Sequence, residues 1–395
     1  MKDKASTGVP IMVEEALGDI VERVKSKSEA RRLSIQTGKE IDMDGFDLPD
    51  MDVTVSDDKT RIIEDEKKSA IRMAFLGLGQ GGGNIADTFW KYGYRRVLIV
   101  NTTDQDFKDI ECTNRLVIGD DVRGAGKDPA VGAKVFEDHK EDVLTAIKNA
   151  FGKDVEQVMI CVGAGGGTGG GSASGAAKAI KEFLKNNGSE DAKIGFIVSM
   201  PAKPEGSVVV NNAETLLGML RESVKLKEIS PLVVADNAKI LKIFPNTKLG
   251  QRWDVINRSV CGLFDSFNVL AAQSSSYATF DPQDYKKVLN SGMLIFGRSV
   301  LGVPETGTEL SDAIRKNLKG GFLSERFALT AATHAASIIV ANKDTLDQLD
   351  QEAYDMSFET LQRVIGSKKL VMYQGIFDNE KVKGIHYFTV AGGLG

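Results

Sequence analysis

The rhythm of hydrophobic and polar positions changes at about residue 70 of this chain. Before it, residues 1–69 are polar and mixed in charge, with almost no aromatic side chains. Segments such as Asp42-Met-Asp-Gly-Phe-Asp-Leu-Pro-Asp50 and Asp57-Asp-Lys-Thr-Arg61 hold no sustained period. That pattern reads as a mobile arm with one short helix near Met12–Val24, serving either as a bare leader or as a partner-binding arm. From Ala70 onward the apolar residues cluster. Ile71–Leu76, Arg96–Val100, Leu116–Ile118, Val155–Val162 and Ile194–Val198 read as buried strands. Helical stretches are expected from about Asn84 and over Ser174–Asn186. Strands alternating with helices predict an α/β domain over 70–247, Rossmann-like, with a parallel sheet covered on both faces. Ligand-binding loops then gather at the carboxyl ends of the strands.

A single long helical pattern follows over 248–273, where Trp253, Ile256, Val260, Leu263, Phe267 and Leu270 alternate steps of three and four. The additional apolar residues Val255, Phe264 and Val269 predict a helix covered on more than one side. Beyond it, residues 274–395 read as a smaller α+β domain, with strands at Met293–Phe296, Ala336–Ala341, Leu370–Ile376 and Ile385–Val390.

Composition narrows the class. Of 395 residues, 42% are hydrophobic and 27% charged, enough to build an ordinary core. A net charge of −5 supplies no general attraction to nucleic acid or anionic membrane. Cys112, Cys161 and Cys261 are far apart and odd in number, and His139, His334 and His386 are equally scattered, so neither a disulfide framework nor a metal-ligand spacing is expected. No apolar run follows Lys2 and Lys4 as in a secretory signal, and none is long enough to cross a bilayer. A reduced, cytoplasmic setting is the expectation.

The most informative segment is Cys161-Val-Gly-Ala-Gly-Gly-Gly-Thr-Gly-Gly-Gly-Ser-Ala173. Glycines let the backbone approach an anion closely and turn several N–H groups inward. The helix that follows adds its positive end, and the Thr168 hydroxyl is a further donor. Strand, glycine loop and helix together predict a phosphate cradle. An earlier loop, Gly77-Leu-Gly-Gln-Gly-Gly-Gly-Asn84, also satisfies G-x-G-x-x-G, which admits an NAD(P)-binding oxidoreductase as a rival. That rival wants an acidic residue at the end of the second strand, where this chain has Asn101-Thr-Thr103 and Asp104 arrives late. A P-loop is absent, because Gly124-Ala-Gly-Lys-Asp128 lacks its spacing and its Ser/Thr after lysine.

Gly163-Ala-Gly-Gly-Gly-Thr-Gly-Gly-Gly-Ser-Ala173 closely resembles the G-x-G-G-G-T-G-[ST]-G loop of the tubulin/FtsZ superfamily. The Gly77–Asn84 loop resembles that family's first loop, and Asn101-Thr102 its second strand end. Arg123-Gly-Ala-Gly-Lys-Asp-Pro-Ala-Val-Gly132 resembles its next nucleotide loop, and Phe388-Thr-Val-Ala-Gly-Gly-Leu-Gly395 the last strand of an FtsZ core. The resemblance thus spans roughly 70–395 and implies the tubulin/FtsZ fold, GTP as substrate and GDP as product. It also implies Mg²⁺ held mainly by phosphates and water. Gly79, Gln80, Gly81, Gly82, Gly83 and Asn84 would hold phosphates together with Gly165, Gly166, Gly167, Thr168 and Gly169. Asn101 and Thr102 would join them, with Gly124, Ala125 and Gly126 at the γ-phosphate. Glu205 would bind the ribose, Trp253 would stack on the base and Asn257 would read it. The last two are four apart and share one helix face.

By the same resemblance, Thr279-Phe-Asp-Pro-Gln-Asp-Tyr285 corresponds to the N-x-D-x-x-D loop that enters the neighbouring subunit's nucleotide site. Asp281 and Asp284 match the two carboxylates that position the attacking water, and Thr279 replaces the Asn. Asp281 also reads as a helix N-cap with Pro282 at the first helical position. The implied protein is a GTPase activated by head-to-tail self-assembly into filaments, with the arm free for an adaptor. A slowly hydrolysing scaffold filament is the alternative that Thr279 raises. One departure concerns the nucleoside: FtsZ relatives carry basic residues just after the ribose glutamate, whereas Ser207-Val-Val-Val210 follows here.

Overall fold

Apolar runs buried on both faces make the parallel half of the sheet, as strands sandwiched between helices require. In the computed structural model they are β1 (Met73–Leu78), β2 (Val97–Asn101), β4 (Gln157–Gly163), β5 (Lys193–Met200) and β6 (Leu232–Asp236). A short, half-exposed β3 (Arg115–Val117) closes one edge. The structure describes residues 66–119, 124–202, 205–304, 308–320 and 327–395. The expected arm up to residue 65 with its helix at Met12–Val24, and Arg123 of the quoted nucleotide-loop motif, lie outside the described residues.

The helices of this half are α1 (Gly79–Lys91), α2 (Pro129–Asp138), α3 (Lys140–Phe151), α4 (Gly167–Asn186), α5 (Ser207–Lys225) and α6 (Asn237–Ile243). The chain then enters α7 (Arg252–Leu270) and α8 (Pro282–Leu289). The remainder alternates β7 (Met293–Leu301), α9 (Thr308–Gly320) and β8 (His334–Ala341), then α10 (Lys343–Asp347), α11 (Gln351–Ile365), β9 (Val371–Asp378) and β10 (Ile385–Leu394). All strands join one sheet in the order β3-β2-β1-β4-β5-β6-β7-β10-β8-β9. Pairing is parallel from β3 to β7, antiparallel on both sides of β10, and parallel again between β8 and β9. The two halves meet at a narrow seam, where β6 and β7 pair only through Leu232–Met293 and Val233–Leu294.

The long helix α7 braces that seam. It buries Val255 and Phe264 as well as the Ile256, Val260 and Phe267 stripe, so it is covered on more than one side, as its pattern predicts. Its far end is tied to the segment leading into β1 by polar contacts. Asn268, fully buried, accepts from the Ile71 N–H at 2.9 Å and donates to the Ile71 carbonyl at 3.2 Å, and Asp265 pairs with Lys67 at 2.7 Å.

Two helices start earlier than their sequence suggests. Glycine weakens a helix interior by about 1 kcal/mol per residue relative to alanine, which places the starts at Asn84 and Ser174. Instead α1 begins at Gly79 and α4 at Gly167, inside the glycine runs. The reason is steric. A Cβ on Gly82 would lie 2.0 Å from the Cys161 carbonyl oxygen, and one on Gly83 2.9 Å from the Ile99 side chain. Only glycine lets the first turn of α1 press onto β2 and β4.

Candidate functional site

The carboxyl ends of β1, β2, β4 and β5 and the start of α7 surround a cleft of about 850 Å³. Its floor comes from the two glycine runs. Gly79, Gln80, Gly81 and Asn84 line it from α1, and Gly165, Gly166, Gly167, Thr168 and Gly169 from the turn into α4. The two runs touch: a Cβ on Gly79, whose φ is +65°, would meet the Gly169 nitrogen at 3.1 Å and Thr168 Cβ at 3.2 Å. Neither Leu78 nor Gly166, the capping residues, makes a side-chain cap hydrogen bond, and neither helix has an acidic residue in its first turn. Two helix N-termini, with their unshared N–H groups and positive ends, thus converge on one cavity.

The remaining wall is organised by short polar links. Asn101 accepts from the Thr102 N–H at 2.8 Å and donates to Asp106 at 2.8 Å, which fixes the turn after β2. The Thr102 and Thr168 hydroxyls meet at 2.7 Å, joining that turn to α4. Gly124, Ala125 and Gly126 line the cleft opposite, and Gly124, Gly126 and Lys127 all have positive φ between 56° and 66°. Asn212 donates to the Lys127 carbonyl at 2.9 Å and so ties this loop to α5.

At the far end of the cleft stand Glu205, Trp253 and Asn257. Glu205 Oε1 accepts from the Ala202 N–H at 2.8 Å and from Arg252 at 3.5 Å. Trp253 is 47% exposed, far more than a core anchor would be, whereas Asn257 is buried to 8%. The cleft therefore changes character along its length, from backbone N–H groups to a carboxylate, an open aromatic face and an amide. That sequence of chemistries suits phosphates, sugar and base in turn.

The structure brings together most of the residues expected from the motifs, with three kinds of exception. Gly82 and Gly83 do not line the cleft; they are the packing glycines described above. Asp281 and Asp284 lie outside it, at the start of α8. There Asp281 accepts from the Asp284 N–H at 2.8 Å with Pro282 in the first turn, as a cap should. The loop before them packs on the edge strand β9, with Phe280 and Tyr373 rings 6.3 Å apart, in the half of the sheet away from the glycine runs. Burial and the neighbouring Asp281 raise the Asp284 carboxyl above its ordinary range. Finally, Ser199 and Asn237 also line the cleft, linked at 2.8 Å, and no motif pointed to them. Asn237 opens α6 directly after β6, a five-residue strand that the periodicity did not single out.

Among the described residues no group of three metal-ligating side chains gathers, the three cysteines are buried and form no disulfide, and no helix is long and apolar enough to cross a membrane.

Comparison with known proteins agrees with this geometry. Residues 72–245 match the family model described as the Tubulin/FtsZ family, GTPase domain. The tubulin-like protein TubZ of Bacillus cereus is 26% identical over 325 residues, covering 75% of this chain and 71% of that protein. The cell division protein FtsZ 2 of Pyrococcus furiosus is 22% identical over 375 residues, covering 92% of this chain and 84% of that protein. Among solved structures, a GTPγS-form protofilament of TubZ from Bacillus thuringiensis superposes with a TM-score of 0.73 at 21% identity, covering 83% of this chain and 89% of that one. CetZ2 from Haloferax volcanii, a GTPγS-bound protofilament, gives 0.67 at 20% identity, with coverages of 82% and 93%. The chain has the tubulin/FtsZ fold, and its residues 72–245 match that family's GTPase-domain model.

Proposed function

We propose that this tubulin/FtsZ-superfamily chain binds and hydrolyses GTP in the glycine-lined cleft, and polymerises head-to-tail so that each site is completed by the next subunit. The observation that carries the reading is the convergence of two uncapped, glycine-built helix N-termini on one cavity that ends in Glu205, Trp253 and Asn257. In this reading the N–H groups of Gly79–Gly81 and Gly165–Gly169 hold the phosphate chain, and the Gly124–Gly126 loop meets its γ end. Glu205 accepts from the ribose, Trp253 stacks on the base and Asn257 reads it. Mg²⁺ fits the oxygen donors present, since Thr168 and Asp106 line the cleft beside the glycine runs and would leave its other positions to phosphate and water. When bound it would neutralise phosphate charge.

Hydrolysis of a phosphoanhydride asks for positioning and charge stabilisation more than covalent help. Asp281 and Asp284 lie away from the cleft of their own chain, so they can orient water only in a neighbour's site. Such a contact is heterologous and propagates into an open filament if the rotation does not close. The GTPγS-form protofilament of TubZ and the GTPγS-bound protofilament of CetZ2 lend support to this assembly.

The test is GTP turnover per subunit across a wide range of protein concentration, with pelleting of polymer in parallel. Turnover should stay near zero below a threshold and rise above it together with polymer. Turnover that is independent of concentration would mean a self-contained site and would sink the shared-site mechanism. Polymer that forms with GTP but turns it over barely at all would favour the slow scaffold that Thr279 suggests.

A further inference from the structure

Behind two of the cleft-lining side chains, Glu205 and Trp253, stands a residue that no motif assigned. Arg252, the first residue of α7, reaches two of the groups proposed to grip the nucleoside. Its Nη2 donates to Glu205 Oε1 at 3.5 Å, and its guanidinium carbon lies 4.8 Å from the centre of the Trp253 ring. Its Nε is buried and has no hydrogen-bond partner among the described residues. These contacts span 47 positions of sequence, from the loop after β5 to the start of the long helix.

We infer that Arg252 is the positioning residue of the nucleoside subsite, fixing the Glu205 carboxylate and the Trp253 ring relative to one another for a purine ribonucleoside. This rests on the GTP reading above and goes further by naming what sets sugar and base selectivity. Three physical points carry it. Both described contacts to the Glu205 carboxylate fall on Oε1, from Ala202 and Arg252, which reserves Oε2 to accept from a sugar hydroxyl. A planar guanidinium is the side chain suited to bonding a carboxylate edge while lying against an aromatic face, which an ammonium does poorly. Positive charge is also needed here, because Ser207-Val-Val-Val210 brings none after Glu205.

The chain has two tryptophans, so a Trp90→Phe protein leaves Trp253 as the only indole and its emission as a direct reporter of the subsite. In that background GTP, 2′-deoxy-GTP and 3′-deoxy-GTP are titrated against the parent, Arg252→Ala and Arg252→Lys. Arg252→Ala should weaken GTP about ten- to a hundred-fold, the loss of a charge-assisted contact. KM should rise while kcat at saturation stays within about two-fold, because the phosphates are untouched. The preference for GTP over the deoxy analogues should shrink in the same variant, and Arg252→Lys should restore affinity only in part. Wild-type GTP affinity in Arg252→Ala would overturn the assignment. So would weakening of GTP and both deoxy analogues by one common factor, which is what a general loss of structure produces. Failure of the parent itself to bind GTP is a separate result, and it would overturn the GTP reading together with this assignment.

Discussion

An Asp281→Asn protein is expected to lose GTP turnover on the order of 10²-fold or more while still forming polymer, the loss typical of removing a group that orients or deprotonates water. Asparagine is the informative replacement. Asp281 accepts from the Asp284 N–H and caps α8, so Asp281→Ala also removes a cap worth about 1 kcal/mol. Asn keeps an acceptor for the cap and deletes only the charge. The proposed geometry adds a second requirement. Inactive Asp281→Asn subunits mixed with subunits blocked in their own cleft should form shared sites in which one neighbour supplies the aspartates and the other the nucleotide. Partial recovery of turnover in that mixture is the expected result. Undiminished turnover in Asp281→Asn alone would remove the aspartates from the mechanism.

The acid limb of turnover follows from the same pair. Burial first, and the like charge of Asp281 second, raise the Asp284 carboxyl above its ordinary range, with Lys287 at 3.8 Å pulling the other way. A raised value means that the proton is retained to higher pH, so turnover should begin to fall above the range of a free carboxylate as pH is lowered. Deleting the neighbouring charge in Asp281→Asn must move the limb of the residual turnover toward lower pH. A pH profile whose limb stays in place or moves upward would show that Asp284 is not the group being titrated.

How legible this protein is in its sequence depends on what each residue answers to. The buried strands and α7 are set by patterns of apolar residues within one segment, and they appear within a few residues of their expected bounds. The proposed phosphate end of the cleft is legible for a related reason: in that reading backbone N–H groups do the binding, so the glycine runs that permit it are contiguous. The nucleoside end is assembled across the chain. Asn237 follows a strand too short to stand out, and Arg252 matters only because the fold carries it to Glu205. Tertiary contacts of that kind leave no period. The same limit explains the helix starts. Propensity counts each glycine as a local cost, whereas the close approach of α1 to β4 is a gain that appears only once both are in place.

Gly82→Ala puts that last point to a direct test, and it should cost stability rather than binding chemistry. Added to Gly82, a Cβ would stand 2.0 Å from the Cys161 carbonyl oxygen and 2.8 Å from its carbon. Both atoms belong to β4, which is hydrogen-bonded to β1 on one side and β5 on the other and cannot yield alone. Overpacking of that kind should cost about 3 kcal/mol or more, read as a lower urea midpoint with an unchanged slope. Gly166→Ala is the counterpart. Its Cβ would find nothing nearer than the Gly163 carbonyl oxygen at 3.7 Å, and its φ of −82° suits any residue. Stability should therefore change by no more than about 1 kcal/mol, the scale of a capping substitution. Its methyl group, however, would stand in the cleft and weaken GTP. The two glycines lie in matching runs at the starts of α1 and α4, yet one should report on folding and the other on the ligand. Should Gly82→Ala keep the parent's urea midpoint, the packing role assigned to the first glycine run would be wrong, and Gly82 would return to the list of phosphate-binding residues.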